Sequence, residues 1–351
     1  MPVKAVPAMR HASDHALSAF LELEEHDMLE TGLRDHLDLL RPFFRGGKHL
    51  RSQFCYWAWK GAGANCPMEH VAKAAAALEL LHSTFLIHDD VLDQSETRRG
   101  TPAYHRQWAD RHRSRQWSGN SDRFGENAAL VAGDFCFNWC NALIASSTTS
   151  DRLATVLGIF FRMSSDASYG QMLELHVQAD RNFDPARCLK VAEYKAGRYM
   201  IAPPLQIGAA LAGAPEQLID AYGEAGRDLG TAYQLRDDLI GVFGDPAVTG
   251  KPNIDDLREG KPTVLFATAL QLATEAQRKT LLNSYGRPDI TPDTAHELRA
   301  LIASTGAQDA VEEAIQERHT RAVRTLNAAP ITGEGREELL ALAHAALQRA
   351  A

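Results

Sequence analysis

Residues Leu78–Gly100 read LELLHSTFLIHDDVLDQSETRRG, and this stretch decides the fold. On one helix over Ala72–Asp93, at about 100° per residue, Val71, Leu78, His82, Phe85, Asp89 and Asp93 share a stripe. Two carboxylates therefore continue an apolar, inward-facing row. Such a pair is costly to bury unless a strong positive charge sits between its members. Asp89, Asp90 and Asp93 are hard oxygen donors on a rigid element, which suits Mg²⁺ with its few protein ligands and its taste for water and phosphate oxygens. Arg98 and Arg99 follow at once, a pair fit for phosphate. Acid, metal and base in succession predict a diphosphate site.

Helical spacing runs through the rest of the chain. The segment from Ser13 opens with a Ser/Asp cap signal, and residues 1–12 are expected to be loose. GLRDHLDLLRPFF is amphipathic, GGKHLRSQFCYWAWKGAG starts at a glycine pair, and PMEHVAKAAAALELL has a proline near its first turn. Short alternating β-branched runs are nearly absent. Polar or glycine-rich composition predicts interhelical segments over 111–127 and 243–262. Gly133 and Asp134 read as a helix start, and Pro203 and Pro204 as a kink or stop. The expectation is an all-α chain with one large helical domain over residues 13–351.

The 351 residues carry a formal charge of −8, which argues against a broad nucleic-acid surface and makes local basic clusters informative. MPVKAVPAMRH lacks the apolar run of a signal peptide, and no stretch reads as a membrane span, so a cytoplasmic location is expected. The five cysteines form no CxxC; Cys136 and Cys140 lie in an apolar run and read as buried thiols rather than zinc ligands.

Three further stretches join the first. Gly46, Gly47, Lys48 and Arg51 form a glycine-basic turn ahead of a helix, where backbone and cations can approach an anion. Lys195, in AEYKAGRYMIAPP, either snorkels or reaches an interior negative group; Gln171 and Glu174 share a helix face upstream. In YQLRDDLIGVFGD, Gln234, Asp237, Asp238 and Gly241 share a face, giving a second acidic cluster. Lys251, Asp255, Asp256 and Lys261 follow in a loop suited to closing over phosphate.

In this order the motifs GGKxxR (46–51), DDxxD with RRG (89–100), GQ (170–171), Lys195, and QxxDD with its trailing GK pairs resemble the trans-isoprenyl diphosphate synthases, the polyprenyl synthetase family. The resemblance implies an isoprenoid synthase type I fold, a helical bundle around a deep central cavity, usually as a homodimer. It implies Mg²⁺, typically three ions, held by Asp89, Asp93 and Asp237 with Asp90 and Asp238 in support. It assigns Arg98, Lys195, Lys261 and Lys251 to an allylic diphosphate (dimethylallyl, geranyl or farnesyl), with Gln171 at its allylic end, and Lys48, Arg51, His82 and Arg99 to isopentenyl diphosphate. Phe85, one turn of about 5.4 Å before Asp89, becomes a floor for the growing chain, with Thr84 beside it and Leu81 and Leu78 deeper. Geranylgeranyl diphosphate is the expected product, farnesyl diphosphate the alternative. A class I terpene cyclase shares DDxxD but has no second diphosphate to hold, and a non-catalytic modulatory subunit would be expected to lose metal aspartates.

The chain departs from the family pattern at five places. His49 stands for an arginine, Ser52 for a proline, Glu174 for an aspartate, Ala196 for the threonine after the lysine, and Gly241 for the last aspartate of the second acidic motif.

Overall fold

The computed structural model describes residues 7–44, 47, 49–245 and 254–348. Lys48 and Lys251, both assigned to phosphate above, lie outside the described residues. The described chain is all-α apart from one small hairpin, β1 (Thr97–Arg98) and β2 (Thr101–Pro102). By packing it divides into two compact units. One takes in the described residues of Ala5–Tyr56 and Ala64–Leu157, here the N-terminal unit; the other takes in those of Trp57–Gly63 and Gly158–Ala351, the C-terminal unit.

The N-terminal unit is built on α4 (Met68–Leu92), which packs on α1 (Pro7–Glu30), α2 (Arg34–Phe44), α5 (Tyr104–Ser114) and α6 (Ser121–Ala145). The apolar run Ala74–Leu78 is buried on every side, as expected of a central helix. α1 corrects the expectation of a loose start. It begins at Pro7, a favoured first helical residue, and Met9, Ser13, Leu17 and Leu21 make a buried stripe at four-residue spacing.

The loop expected over 111–127 shrinks to residues 115–120. Asn120 caps α6 by accepting from the Arg123 N–H at 2.8 Å, and polar residues after it simply face water. Gly133 is therefore mid-helix rather than a start. Its missing Cβ makes room for His88 of α4, whose Nε2 would lie 2.0 Å from it, and His88 instead pairs with the Leu130 carbonyl at 3.0 Å. α6 is also long and apolar enough to cross a membrane by length and composition, which the sequence reading did not allow for. Here it packs on α4 and α5.

In the C-terminal unit, α10 (Glu216–Phe243) is central. It packs on a π-helical segment (Glu193–Ile201), on α9 (Ala202–Ala212) and, through its other side, on α15 (Ala307–Ala328) and α16 (Gly333–Leu347). Before the π-helical segment come α7 (Ser150–Asp180), which starts in the N-terminal unit, and α8 (Pro185–Ala192); α3 (Leu50–Gly61) likewise runs from one unit into the other. After α10 come α11 (Asp255–Glu259), α12 (Val264–Leu272), α13 (Glu275–Ser284) and α14 (Pro292–Ser304). Pro203 and Pro204 sit in the first turn of α9, directly after the π-helical segment, so they mark a change of helix type rather than a stop. Gly226 and Gly230 let α10 approach this segment, since a Cβ on Gly230 would be 2.5 Å from the Ala196 carbonyl oxygen.

A Cβ on Gly125 would lie 2.1 Å from the His105 carbonyl oxygen, a backbone atom that cannot swing away. Gly125→Ala is therefore expected to cost at least about 1–3 kcal/mol through forced separation of α5 and α6. Chemical denaturation of the purified variant checks this, and wild-type stability would contradict the packing described.

Candidate active site

The two ends of the problem, cations and carboxylates, can be followed unit by unit. In the N-terminal unit the RRG motif is the tip of the small hairpin. Arg99 and Gly100 are its two central residues, with φ of 54° and 79°, and Thr97 pairs with Pro102. A two-residue turn of this hand needs positive φ at both positions, which explains the glycine and puts strain on Arg99. The turn carries the Arg99 guanidinium back to Gly47, where Nη2 sits 3.1 Å from the position of a Cβ, and Nη1 donates to the Phe43 carbonyl at 3.1 Å. The glycine of the first motif, itself at φ 94°, thus seats the arginine of the second.

Around this contact the unit gathers Arg51, which is buried, with His82 and His49. Burial, followed by the charges of Arg51, Arg99, Arg98 and His49, holds the His82 imidazole well below its ordinary range. It is neutral at physiological pH. The Nδ1 of His82 and the Nε2 of His49 are buried and have no hydrogen-bond partner among the described residues. Glu79 is the carboxylate facing this group: it accepts from the Ser52 hydroxyl at 2.7 Å and lies 3.8 Å from His49 Nδ1. Ser52 and His49, two of the departures, are therefore coupled through Glu79. No sequence argument singled out Glu79, although a charge inside AAAALELL was a signal. A buried guanidinium beside orphaned ring nitrogens leaves unsatisfied hydrogen-bonding capacity at this point.

Two turns after His82, Asp89 and Asp93 lie on one face of α4 and its C-cap, half-buried, while Asp90 points inward and is fully buried. Arg98 donates to Asp90 Oδ1 through Nε at 2.8 Å and through Nη2. The pair raises the Arg98 pKa against the opposing effect of burial. Asp90 thus orients Arg98, while its Oδ2 remains buried without a partner among the described residues. Phe85 is half-buried, whereas Thr84, Leu81 and Leu78 are closed off in the core.

In the C-terminal unit, Lys195 reaches Glu174 on α7 in an ion pair, so it is not snorkelling. Gly170 makes this approach possible: a Cβ there would be 2.7 Å from the Lys195 nitrogen. Gln171 is half-buried next to it on α7. The π geometry presents Lys195 while Ala196 is buried under Gly230. On α10, Asp238 is buried and accepts from Gln234 Nε2 at 2.8 Å. Burial pushes its carboxyl up to about 8, against the pull of Gln234 and with help from Asp256, Asp237 and Glu174. Asp237 is half-buried beside it. Lys261 lies 3.2 Å from Asp256 and 3.0 Å from Glu259, and its carbonyl accepts from the Tyr285 hydroxyl at 2.6 Å. Tyr285 was not among the residues expected from sequence, and Asp256 was named there only as a member of the closing loop.

Among the described residues no three acidic, histidine or cysteine side chains converge as a ready-made cage. The half-buried pair Asp89 and Asp93, with the orphaned Asp90 oxygen behind it, fits Mg²⁺, which takes one or two carboxylates and fills its shell from water and phosphate.

The polyprenyl synthetase family model matches residues 37–302. A geranylfarnesyl diphosphate synthase from Aeropyrum pernix is 31% identical over 301 residues, which is 85% of this chain and 88% of that protein. A (2E,6E)-farnesyl diphosphate synthase from Mycobacterium tuberculosis is 28% identical, covering 93% and 92%. The crystal structure of a geranylgeranyl pyrophosphate synthase from Corynebacterium glutamicum, complexed with isoprenyl diphosphate and magnesium, superposes with a TM-score of 0.92 at 34% identity, covering 97% of this chain and 98% of that one. The chain belongs to the polyprenyl synthetase family. Its fold is the all-α isoprenoid synthase type I bundle.

Because the Asp238 carboxyl is raised, its ionisation is opposed by folding. Its contribution to stability is full below about pH 4 and is lost as pH rises through about 8. In chelator, melting temperature should fall between about pH 4 and pH 8, and Asp238→Asn should flatten that fall. An equally steep profile in the variant would show that the group does not titrate there.

Proposed function

We propose that the chain is a trans-prenyltransferase that condenses isopentenyl diphosphate with an allylic diphosphate, giving a short-chain all-trans prenyl diphosphate, geranylgeranyl diphosphate by preference. One observation carries this reading: buried Arg51 gathered with Arg99, His49 and the neutral His82, with the His82 Nδ1 and His49 Nε2 orphaned. A cyclase has no second diphosphate to put there, and a modulatory subunit has no need of both acidic motifs.

On this reading Asp89 and Asp93 of the N-terminal unit and Asp237 of the C-terminal unit are the residues that would hold Mg²⁺, three ions in all, for an allylic diphosphate. When bound, the ions supply the positive charge that lets the allylic carbon–oxygen bond ionise. Arg98, oriented by Asp90, and Lys195, held by Glu174, add fixed positive charge to the departing diphosphate without reorganising. Lys261, steadied through Tyr285 and Asp256, and Lys251 close on the same phosphates. Gln171 faces the allylic end. Arg51, Arg99, Lys48 and the neutral His82 hold isopentenyl diphosphate so that its double bond meets the cation, and the released diphosphate takes the proton. Apolar walls keep water from trapping the cation.

Phe85 is the first side chain along the prenyl path, ahead of Thr84 and Leu81. The relatives differ in product, geranylfarnesyl in one and farnesyl in another, so this chain's own floor decides. The exposed Leu130 and Val131 of α6 suit a homodimer contact. Five unbridged cysteines suit the reducing cytosol, and the net negative charge suits no nucleic-acid partner.

Incubation with Mg²⁺, isopentenyl diphosphate and each allylic primer, followed by product chromatography, should give mainly the C20 diphosphate. Hydrocarbon products would overturn the reading towards a cyclase, and no turnover at all towards a modulatory subunit. Asp89→Ala should lower turnover by about three orders of magnitude or more with the fold intact, the loss of a preorganised charge site. Phe85→Ala should lengthen the product, and an unchanged chain length would place the floor elsewhere.

A further inference from the structure

A lysine is only as well aimed as the backbone that carries it, because its four-carbon stem is flexible. Lys261 follows Gly260, the left-handed end of α11, whose φ is 68°. A Cβ on Gly260 would lie 2.8 Å from the Gly286 Cα, and Gly286 donates its N–H to the Leu257 carbonyl at 2.9 Å. Beside this contact the Tyr285 hydroxyl donates to the Lys261 carbonyl at 2.6 Å. The phenol is buried, stacked on Phe266 with ring centres 3.5 Å apart and planes 8° apart, and edge-on to Phe183 at 5.8 Å. Packed in this way, it has no room to swing off the carbonyl it serves.

Tyr285 is fixed in its turn by Arg181, the residue after α7, whose backbone has φ of 53°, a conformation costly for any residue but glycine. Arg181 Nη2 donates to the Leu282 and Tyr285 carbonyls at 2.8 and 3.1 Å, acceptors left over at the end of α13. Its Nη1 lies 3.2 Å from the place of a Cβ on Gly286, and the guanidinium sits 5.9 Å over the Phe183 ring. Closing a helix end needs only the two carbonyl bonds. The line from Arg181 through Tyr285 goes further, since it ends on the carbonyl of a residue assigned to phosphate. We infer that Arg181 and Tyr285 are positioning residues for Lys261. They fix its backbone so that the ammonium, 3.2 Å from Asp256 and 3.0 Å from Glu259, is presented to the allylic diphosphate. The inference rests on the reading of Lys261 as a ligand of that diphosphate, and its test separates the two.

The readout is binding rather than turnover: calorimetric titration in Mg²⁺ with a thio-linked farnesyl diphosphate, whose carbon–sulfur bond does not ionise. Lys261→Ala is the control for the underlying reading, and unchanged affinity there would remove Lys261 from the site and the inference with it. With that control weakened, Tyr285→Phe keeps the stacked ring, loses one hydroxyl and should bind the analogue about 3- to 10-fold more weakly, the scale of a single hydrogen bond. Arg181→Ala should do the same. Affinity for isopentenyl diphosphate should stay at the wild-type value in both. In the Lys261→Ala background neither change should weaken binding further, because residues that act through one side chain do not add. A merely structural role would not produce that coupling. If Arg181→Ala does not fold, Arg181→Lys takes its place; it keeps the charge without the planar fork and should show the same coupled loss. Wild-type affinity in either single variant would overturn the inference. So would losses that persist in full without Lys261, or that extend equally to isopentenyl diphosphate.

Discussion

Cationic and basic side chains gathered at one point, Arg51 buried among them, are the constraint on which this molecule depends. Four cationic or basic side chains crowd the region where the first basic motif meets the RRG turn, and Glu79 answers them from the middle of α4. Burying such a group costs far more than the packing around it returns unless an anion arrives. The acidic side has the mirror problem, with Asp238 driven towards its protonated form by burial and neighbouring carboxylates. A protein that tolerates both is built to be completed by polyanionic substrates and divalent metal.

The scaffold is arranged around that cost. Glycines mark the places where helices must come close enough to aim a charge: Gly47 under Arg99, Gly170 under Lys195, Gly241 under Asp256. None of these is a matter of flexibility alone. Each removes a side chain so that another element can come close: the charged ends of Arg99 and Asp256 at Gly47 and Gly241, the Lys195 backbone at Gly170. The π-helical segment belongs to the same economy, since it carries Lys195 and leads directly into the two prolines.

Much of this was legible in the sequence because the chemistry is carried by spacing on helices, which sequence shows directly. The stripe through His82, Phe85, Asp89 and Asp93 and the shared face of Gln234 and Asp238 follow from a period of about 3.6, whereas Lys195 was left open between a snorkelling and an interior place. What escaped has a common cause. The N-terminal extent of α1 and α6 was hidden by polar residues that face water while a buried stripe continues beneath them. Glu79, Tyr285 and Asp256 act across tertiary distance, so no spacing announces them. The departures at His49, Ser52 and Gly241 could be seen as departures, but their partners could be found only in space.

The central claim is that the chain holds two diphosphates by two different means, one by side-chain cations alone and one through metal. Calorimetric titration with isopentenyl diphosphate in chelator tests it most directly. The account predicts binding of one equivalent per chain with no divalent ion present, lost in Arg51→Ala. Binding that begins only when Mg²⁺ is added would contradict it.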